Sequence, residues 1–576
     1  MRKLLKYLKD YKLESVLAPL FKMLEASFEL FVPLVVAQII DRGIASNDYG
    51  YIVRMCLVLV ALGIIGLVCS ITAQFFAAKA AVGFSTKLRH ALFAHIQSLS
   101  HREIDTLGTS TLITRMTSDI NQTQSGVNMF LRLFLRSPFV VFGAMIMAFT
   151  IDVPSALIFA VAIPALAVVV FGIMLITMPL YRKTQNALDA ILRKTRENIT
   201  GARVIRAFRM EDREIEDFNE RSSTLVKIQK HVGAISALMN PLTYVLINAA
   251  VIALIYRGAI RVEAGILTQG QVVALYNYMS QILVELIKLA NMIITLTKAL
   301  ACANRIADVF EEKSSLENGT ETKGRPGAPA VEFDGAALTY AGSSGAAVEG
   351  LSFKAERGEI IGIIGGTGSG KTSLINLIPR FYDVSAGRVL VNGRDVREYD
   401  IDALRSKIGV VSQKAVLFKG TIMSNMKWGA PDVDMETVEK AVSAAQAEDV
   451  VRAKDGYDAH VEQGGSNFSG GQRQRLTIAR ALAKKPEILI LDDSASALDF
   501  ATDARLRKAV AALETNPTVF IVSQRTASVM SADKIIVLDD GAPVGIGSHE
   551  ELMQSCNVYK EIYNSQFGGT ENQSEE

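Results

Sequence analysis

Residues Gly365–Thr372 read GGTGSGKT and fit the phosphate-cradling pattern G-x-x-x-x-G-K-[ST]. The run follows the apolar stretch Ile360–Ile364 and precedes a helical segment, the strand–loop–helix setting that such a cradle needs. Gly365, Gly366, Thr367, Gly368, Ser369 and Gly370 let backbone N–H groups turn inward on an anion, and the helix N-terminus adds a favourable dipole. Lys371 is expected to reach the β- and γ-phosphates of a nucleotide and Thr372 to ligate Mg²⁺, with Ser373 beside them. A second apolar run, Ile488–Leu491, ends in Asp492. A carboxylate at the tip of a buried strand suits a second Mg²⁺ contact, direct or through water. Between these runs lie Phe468, Ser469, Gly470, Gly471 and Gln472 (FSGGQ), a small loop opening a helix and so another anion cradle. Two phosphate-facing loops in one domain imply that each nucleotide is gripped by two domains, which predicts dimerisation over ATP.

These residues need an α/β domain to hold them. Short β-branched runs alternating with helical segments supply one after residue 330, expected to span 331–567. The stretch 311–330 is polar, with Gly, Pro and Ser and no apolar period, and reads as a linker. Residues 568–576 (GGTENQSEE) read as a disordered acidic tail.

The chain before the linker is of another kind. The full sequence of 576 residues is 49% apolar, and the apolar excess is concentrated before residue 300. Stretches at about 15–40, 52–81, 129–149, 155–178, 236–256 and 271–299 are each long enough to cross roughly 30 Å of hydrocarbon. The expected fold is an α-helical transmembrane bundle over 1–310, with six spans and long cytoplasmic extensions, fused to an α/β P-loop ATPase domain. The 61 basic and 59 acidic residues nearly cancel, which leaves no global field to recruit nucleic acid. Cys56, Cys69, Cys302 and Cys556 have neither zinc-site spacing nor disulfide density.

An even number of spans puts both ends on one side. The connections 1–14, 82–128 and 179–234 carry 21 Lys and Arg against 3 in 41–51, 150–154 and 257–270. Per residue that is about a twofold excess, in the sense of the positive-inside tendency. Nucleotide motifs must also face cytosolic ATP, so both termini and the nucleotide-binding domain are expected in the cytosol, below a multi-pass cytoplasmic (inner or cell) membrane. Met1–Lys12 lacks the features of a cleavable signal and suits an amphipathic helix at the inner interface. The long cytoplasmic connections are helically patterned and read as extensions of the spans, with turns near 107–109 and 200–201. Ionisable residues read within the spans are Lys22, Glu25, Glu29, Glu285 and Lys288. Glu285 and Lys288 share a helical face and can pair, and a substrate pathway and a purely structural role both fit them.

Taken together, the P-loop, the strand ending in Asp492 and FSGGQ, close to the LSGGQ signature, resemble a half-transporter of the ATP-binding cassette (ABC) exporter family. The resemblance spans essentially the whole chain. It implies further roles residue by residue. Tyr340 matches an aromatic that stacks on adenine, and Gln413 the Q-loop glutamine that touches Mg²⁺ or its water. Ser496, Ala497, Leu498 and Asp499 match the D-loop at a dimer interface, and the segments 107–116 and 201–209 resemble two coupling helices. A metal set of Thr372, Gln413 and Asp492 follows from the same resemblance.

Two positions depart from the family pattern, both beside the attacking water. The general base, usually Glu, is Asp493, and the switch residue, usually His, is Gln524. Asp is one methylene shorter, drawing its carboxylate back by about 1.5 Å, and a displacement near 1 Å can cost about 100-fold in rate. Gln donates and accepts but cannot carry the proton charge of His. The stretch 462–465 (EQGG) also lacks the arginine of the family's E-R-G, for which the sequence offers no physical account. The resemblance therefore implies the degenerate-site subunit of a bacterial heterodimeric multidrug-type exporter. Its partner would be a second half-transporter with the usual Glu and His, and its substrate an amphipathic drug, lipid or peptide. A homodimeric slow exporter or lipid flippase, and a non-catalytic regulatory ATP-binding subunit, are the alternatives.

Overall fold

The computed structural model describes residues 2–567, so the expected tail at 568–576 lies outside the described residues. The chain divides into two compact units, Met1–Gln97 with Ser110–Glu312, and Ser98–Thr109 with Lys313–Glu576.

The first unit is helical. Among the described residues, six stretches are long and apolar enough to cross a membrane: Leu4–Ile44, Tyr49–Ser98, Thr109–Ile151, Val153–Thr200, Glu211–Glu263 and Gln269–Glu311. They contain α1 (Lys12–Gln38), α2 (Tyr49–Ser98), α4 (Thr109–Thr114), α5 (Ile120–Leu133), α6 (Arg136–Ile151), α7 (Val153–Thr200), α9 (Glu211–Ala237), α10 (Met239–Glu263) and α11 (Gln269–Glu311), while α3 (His101–Leu107) and α8 (Ala202–Ala207) lie in the connections between them. The short α3 belongs to the second unit. A helix of 48 residues such as α7 is about 72 Å long, more than twice the hydrocarbon thickness. Local chemistry starts these helices. Asp152 caps α7 by accepting the Ser155 N–H at 3.0 Å, with Pro154 in the first turn, and Thr268 and Gln271 form a capping box on α11. The third stretch breaks between α5 and α6 just ahead of Pro138, whose missing N–H cannot continue the helical ladder.

The core of this unit is α11, packed against α1, α5, α6 and α10. Glu285 and Lys288 pair at 2.8 Å, as their spacing suggests. Glu285 also receives Arg136 Nη1 at 2.5 Å and the Ser137 hydroxyl at 2.9 Å, while Arg136 Nη2 reaches Glu29 at 2.6 Å. Arg136, absent from the ionisable residues read within the spans, is the centre of their ionic network.

The first connecting helix differs from expectation. It is α3, starting at His101 and ending at Leu107, rather than the segment 107–116. Ser100 and Glu103 form a capping box that starts α3, and Gly108 at φ 77° stops it, so residues from Thr109 already begin the next long helix. The second connection holds α8 at Ala202–Ala207, within 201–209.

The second unit carries β1 (Val331–Leu338), β2 (Val348–Ala355), β3 (Ile360–Gly365), β4 (Ala386–Val391), β5 (Arg394–Asp395), β6 (Ile408–Val411), β7 (Gly420–Thr421), β8 (His460–Val461), β9 (Ile488–Asp492), β10 (Thr518–Val522), β11 (Lys534–Asp539) and β12 (Ala542–Gly547). An antiparallel sheet runs β2-β1-β4-β5, and a six-stranded sheet runs β12-β11-β3-β10-β9-β6, parallel except for β12. The central strands are buried on both faces, which explains their unbroken apolar sequences. The stretch read as a linker is docked on this unit. Gly319 N–H donates to the Tyr399 carbonyl at 3.0 Å, and a Cβ on Gly319 would meet the Glu398 carbonyl oxygen at 2.1 Å.

Candidate functional site

Sheet order brings the nucleotide motifs together. The neighbouring parallel strands β3, β10 and β9 end respectively in the P-loop, in Ser523–Gln524 and in Asp492–Asp493. Their register aligns Ile363 with Val522 and Val522 with Asp492, so all three chain reversals open on the same edge. This is the carboxyl-end crevice where parallel sheets bind ligands. The resulting cavity, about 350 Å³, is lined by Tyr340, Lys371, Thr372, Gln413, Asp493 and Gln524 among others.

Within it the P-loop turns at Gly370, which sits at φ 90° ahead of α12 (Lys371–Leu377). A Cβ there would stand 2.2 Å from the Ala347 carbonyl oxygen, so only glycine fits. Lys371 is folded back on its own loop, donating to the carbonyls of Gly365 at 2.9 Å and Gly366 at 2.5 Å. Burial pulls its ammonium below the ordinary lysine range, against the opposing pull of Asp493 and Asp492.

Thr372 donates its hydroxyl to Asp492, lying 3.2 Å from both carboxylate oxygens. Asp492 is 5% exposed, and burial raises its pKa above the usual range, with the Asp493 carboxylate adding to the rise. A hydroxyl and an unneutralised carboxylate side by side at a phosphate cradle fit Mg²⁺, which takes one or two protein oxygens and completes its shell with water and phosphate. Among the described residues no group of three or more His, Cys, Asp or Glu could hold a metal by itself.

Asp493 stands at φ 44°, with its N–H bonded to the Val522 carbonyl at 2.9 Å, which ties the residue after β9 to the end of β10. Gln413 donates Nε2–H to Asp493 Oδ2 at 3.4 Å, and burial raises the Asp493 pKa. Gln524 follows on the same edge, its carbonyl held by Gln566 Nε2 at 2.8 Å. Tyr340 gives its hydroxyl to Ser373 at 3.0 Å and meets Tyr382 edge-to-face, with ring centroids 5.1 Å apart. Tyr382 in turn donates to Asp105 of α3 at 2.5 Å. Burial first, then the Asp105 carboxylate, pushes the Tyr382 phenol well above its ordinary range.

The signature residues lie elsewhere in the unit. Ser469 caps the helix Gly470–Ala483 in a box with Gln472, whose N–H it accepts at 3.3 Å. A separate polar cavity of about 580 Å³ is lined by Ser469, Gly471, Gln472, Arg475, Asp499 and Arg505 among others. The D-loop borders this second cavity through Ala497, Leu498 and Asp499, while Ser496 bonds back to the Asp493 carbonyl at 2.8 Å. Asp499 also caps the helix Phe500–Ala511, and the Thr502 N–H holds its carboxyl below the usual range. Phe468 is 4% exposed and belongs to the hydrophobic core rather than to either cavity.

Gln566, Tyr382 and Asp105 escaped sequence reasoning. Their contacts join residues 42 and 277 positions apart, which no local pattern encodes. The capping box at Ser100 and Glu103 was the one readable signal near them.

Comparison with known proteins agrees with this geometry. Residues 15–286 match the ABC transporter transmembrane region and residues 348–496 the ABC transporter domain. The chain is 37% identical to an uncharacterized ABC transporter ATP-binding protein of Mycobacterium tuberculosis over 97% of both chains. It is 31% identical, over 98% of this chain and 99% of the relative, to a Bacillus subtilis protein whose name proposes multidrug export. It is 30% identical to an ATP-dependent lipid A-core flippase of Desulfotalea psychrophila, over 96% of this chain and 97% of the relative. A solved bacterial Atm1-family ABC exporter with ATP bound shares the fold, with a TM-score of 0.79, 22% identity and coverage of 96% and 98%. With six helices long and apolar enough to cross a membrane, both family regions matched and these relatives, the chain belongs to the ABC transporter family, as a half-transporter with its membrane region and ATPase domain in one polypeptide.

Proposed function

We propose that this chain drives export of an amphipathic substrate across the cytoplasmic membrane as one half of a heterodimer, with both termini in the cytosol. In this reading its own P-loop site retains ATP and turns over slowly. Its Ser469–Gln472 loop completes a competent site on a partner that carries Glu and His. One observation supports the two-chain part of the reading, the heterodimer itself resting on Asp493 and Gln524: the P-loop cavity and the signature cavity share no lining residue. A nucleotide sandwiched by both kinds of loop needs two chains. The names of the relatives, a lipid A-core flippase and a multidrug export protein, support a lipid-like or drug-like cargo.

The residues divide the work. Lys371 exchanges its bonds to the Gly365 and Gly366 carbonyls for the β- and γ-phosphates, and Tyr340 offers a ring to adenine. Thr372, Asp492 and Gln413 would hold Mg²⁺, which supplies charge neutralisation at the phosphates. Asp493 is the group placed to orient the attacking water, but its short side chain ends one methylene early. Gln524 offers hydrogen bonds there without a transferable charge. Binding groups are thus complete while the hydrolytic pair is weak.

Native mass spectrometry of the tagged chain drawn gently from its own membrane tests the assembly. A second half-transporter of different mass in one-to-one ratio is expected. Recovery of two copies of this chain alone defeats the heterodimer and leaves the slow homodimer or the regulatory subunit. An Asp493→Glu rate comparison then separates those two.

A further inference from the structure

A cavity of about 500 Å³ opens within the membrane unit between α1, α6 and α11. Its lining includes the apolar Val36, Val140 and Val284. It also includes the two ends of a chain of ion pairs running Glu29–Arg136–Glu285–Lys288. The inner members are nearly covered, with side chains 7% exposed at Arg136 and 4% at Glu285, and of the two only Glu285 touches the cavity lining. The outer members, Glu29 and Lys288, are each 44% exposed and both line the cavity. Gln281 lines it too, and its buried Oε1 has no hydrogen-bond partner, an acceptor left unmet beside the charged ends.

Charges in the middle of a membrane helix are costly and face a partner or a cavity. A network that served only to fasten helices would gain nothing by presenting its ends. Here the centre does the fastening and the ends remain open, one negative and one positive. The four groups sum to zero charge, so a purely cationic ligand drawn to Glu29 meets repulsion from Lys288, and a purely anionic one meets the converse. Lys288 uses one of three ammonium N–H groups on Glu285, and Glu29 binds Arg136 through Oε2.

We infer that this cavity binds the head of a zwitterionic amphiphile, with Glu29 taking its ammonium, Lys288 its acidic group and the valines the start of its apolar tail. The inference rests on the export reading of the membrane unit and names the class of its cargo. A zwitterionic phospholipid and an apolar peptide with free termini present the same head chemistry.

The test measures equilibrium binding to the nucleotide-free full-length chain in dodecyl maltoside. Three fluorescent probes with one acyl tail are compared: a phosphatidylethanolamine, a phosphatidylglycerol and a primary amine. A short apolar peptide with free termini forms a fourth arm and distinguishes the lipid source from the peptide source. The zwitterionic probe is expected to bind most tightly. Lys288→Met should weaken it about tenfold and strengthen the amine probe, while Glu29→Gln should weaken it similarly and strengthen the phosphatidylglycerol probe. The gains matter because a misfolded variant cannot produce them. Equal affinity for all three heads, or a uniform loss for every probe in both variants, overturns the site. ATP-dependent uptake into inside-out vesicles is read separately. Uptake without the head-group pattern overturns this site alone, and the pattern without uptake supports the site and overturns the export reading alone.

Discussion

Gln566 grips the switch loop at Gln524 with both ends of its side-chain amide. Its Nε2–H donates to the Gln524 carbonyl at 2.8 Å, and its Oε1 accepts the Thr526 N–H at 2.8 Å. The helix Asn557–Phe567 thereby fixes the backbone that carries Gln524, the residue proposed as the switch.

Loosening that grip should speed the escape of nucleotide. Each lost hydrogen bond is worth about 0.5–1.5 kcal/mol and Gln566→Ala loses two, so the release rate of trapped ATP is expected to rise at least about fivefold. Gln566→Glu should do more harm than Ala, because it keeps the acceptor for Thr526 but sets a carboxylate against the Gln524 carbonyl. Equal release rates for wild type and both variants, in a chase with unlabelled ATP, would show that the loop is held by other contacts.

The division of labour between the two nucleotide loops makes opposite demands on their residues. Lys371→Ala is expected to weaken ATP retention at this chain's own site while leaving some turnover in the assembled transporter. Replacing Ser469 and Gly470 together should remove most turnover, since in the proposed assembly that loop serves the partner's site. Asp493→Glu restores the missing methylene and should raise hydrolysis, by up to about 100-fold if reach alone limits the rate. Steady-state ATPase rates of the purified complex check all three, and equal losses from the Lys371 and Ser469/Gly470 changes would sink the asymmetry.

What the sequence disclosed was local. Gly365–Thr372 and the tip of β9 announce their chemistry because a phosphate cradle and a strand-end carboxylate are built from consecutive residues. The side chains that fasten these pieces were silent for the opposite reason. Arg136 meets Glu29 and Glu285 across separations of 107 and 149 residues, and an arginine near a helix break reads simply as a flank. At Phe468 the motif position coincides with a core position, since the ring is 4% exposed and packs in the hydrophobic core. The position of α3 was recoverable, because Ser100 and Glu103 have the spacing of a helix start.

Acidification should loosen α3. His101 packs against Phe381 with the rings tilted by 32° and centroids 4.6 Å apart, and burial first, then the nearby Arg405 charge, holds its pKa below the ordinary 6.5. With the folded pKa depressed, the unfolded segment binds the proton more readily, so the stabilisation is present above about pH 6.5 and is lost as pH falls through the folded value. Amide hydrogen exchange across residues 98–109 is therefore expected to quicken between pH 7 and pH 5, and His101→Phe should flatten that dependence. An unchanged pH profile in the variant would place the titrating group elsewhere.

The ionic network of the membrane unit should answer to mutation unevenly. Removing Arg136 strands Glu285, which is 3% exposed, with only Ser137 and Lys288 as partners. Stranding a buried charge costs about 3–5 kcal/mol, which for a unit of this size lowers the melting temperature by at least about 6 °C. Lys288→Met, which removes a half-exposed end of the chain, should cost under about 1 kcal/mol. The double change Arg136→Met with Glu285→Met removes both buried charges together and should be milder than Arg136→Met alone, a non-additivity that follows from the shared pair. Thermal unfolding of the detergent-solubilised chain, followed by size exclusion, reads all three. If the double variant proves less stable than Arg136→Met, Glu285 is held by something other than the arginine, and the network does not have Arg136 as its keystone.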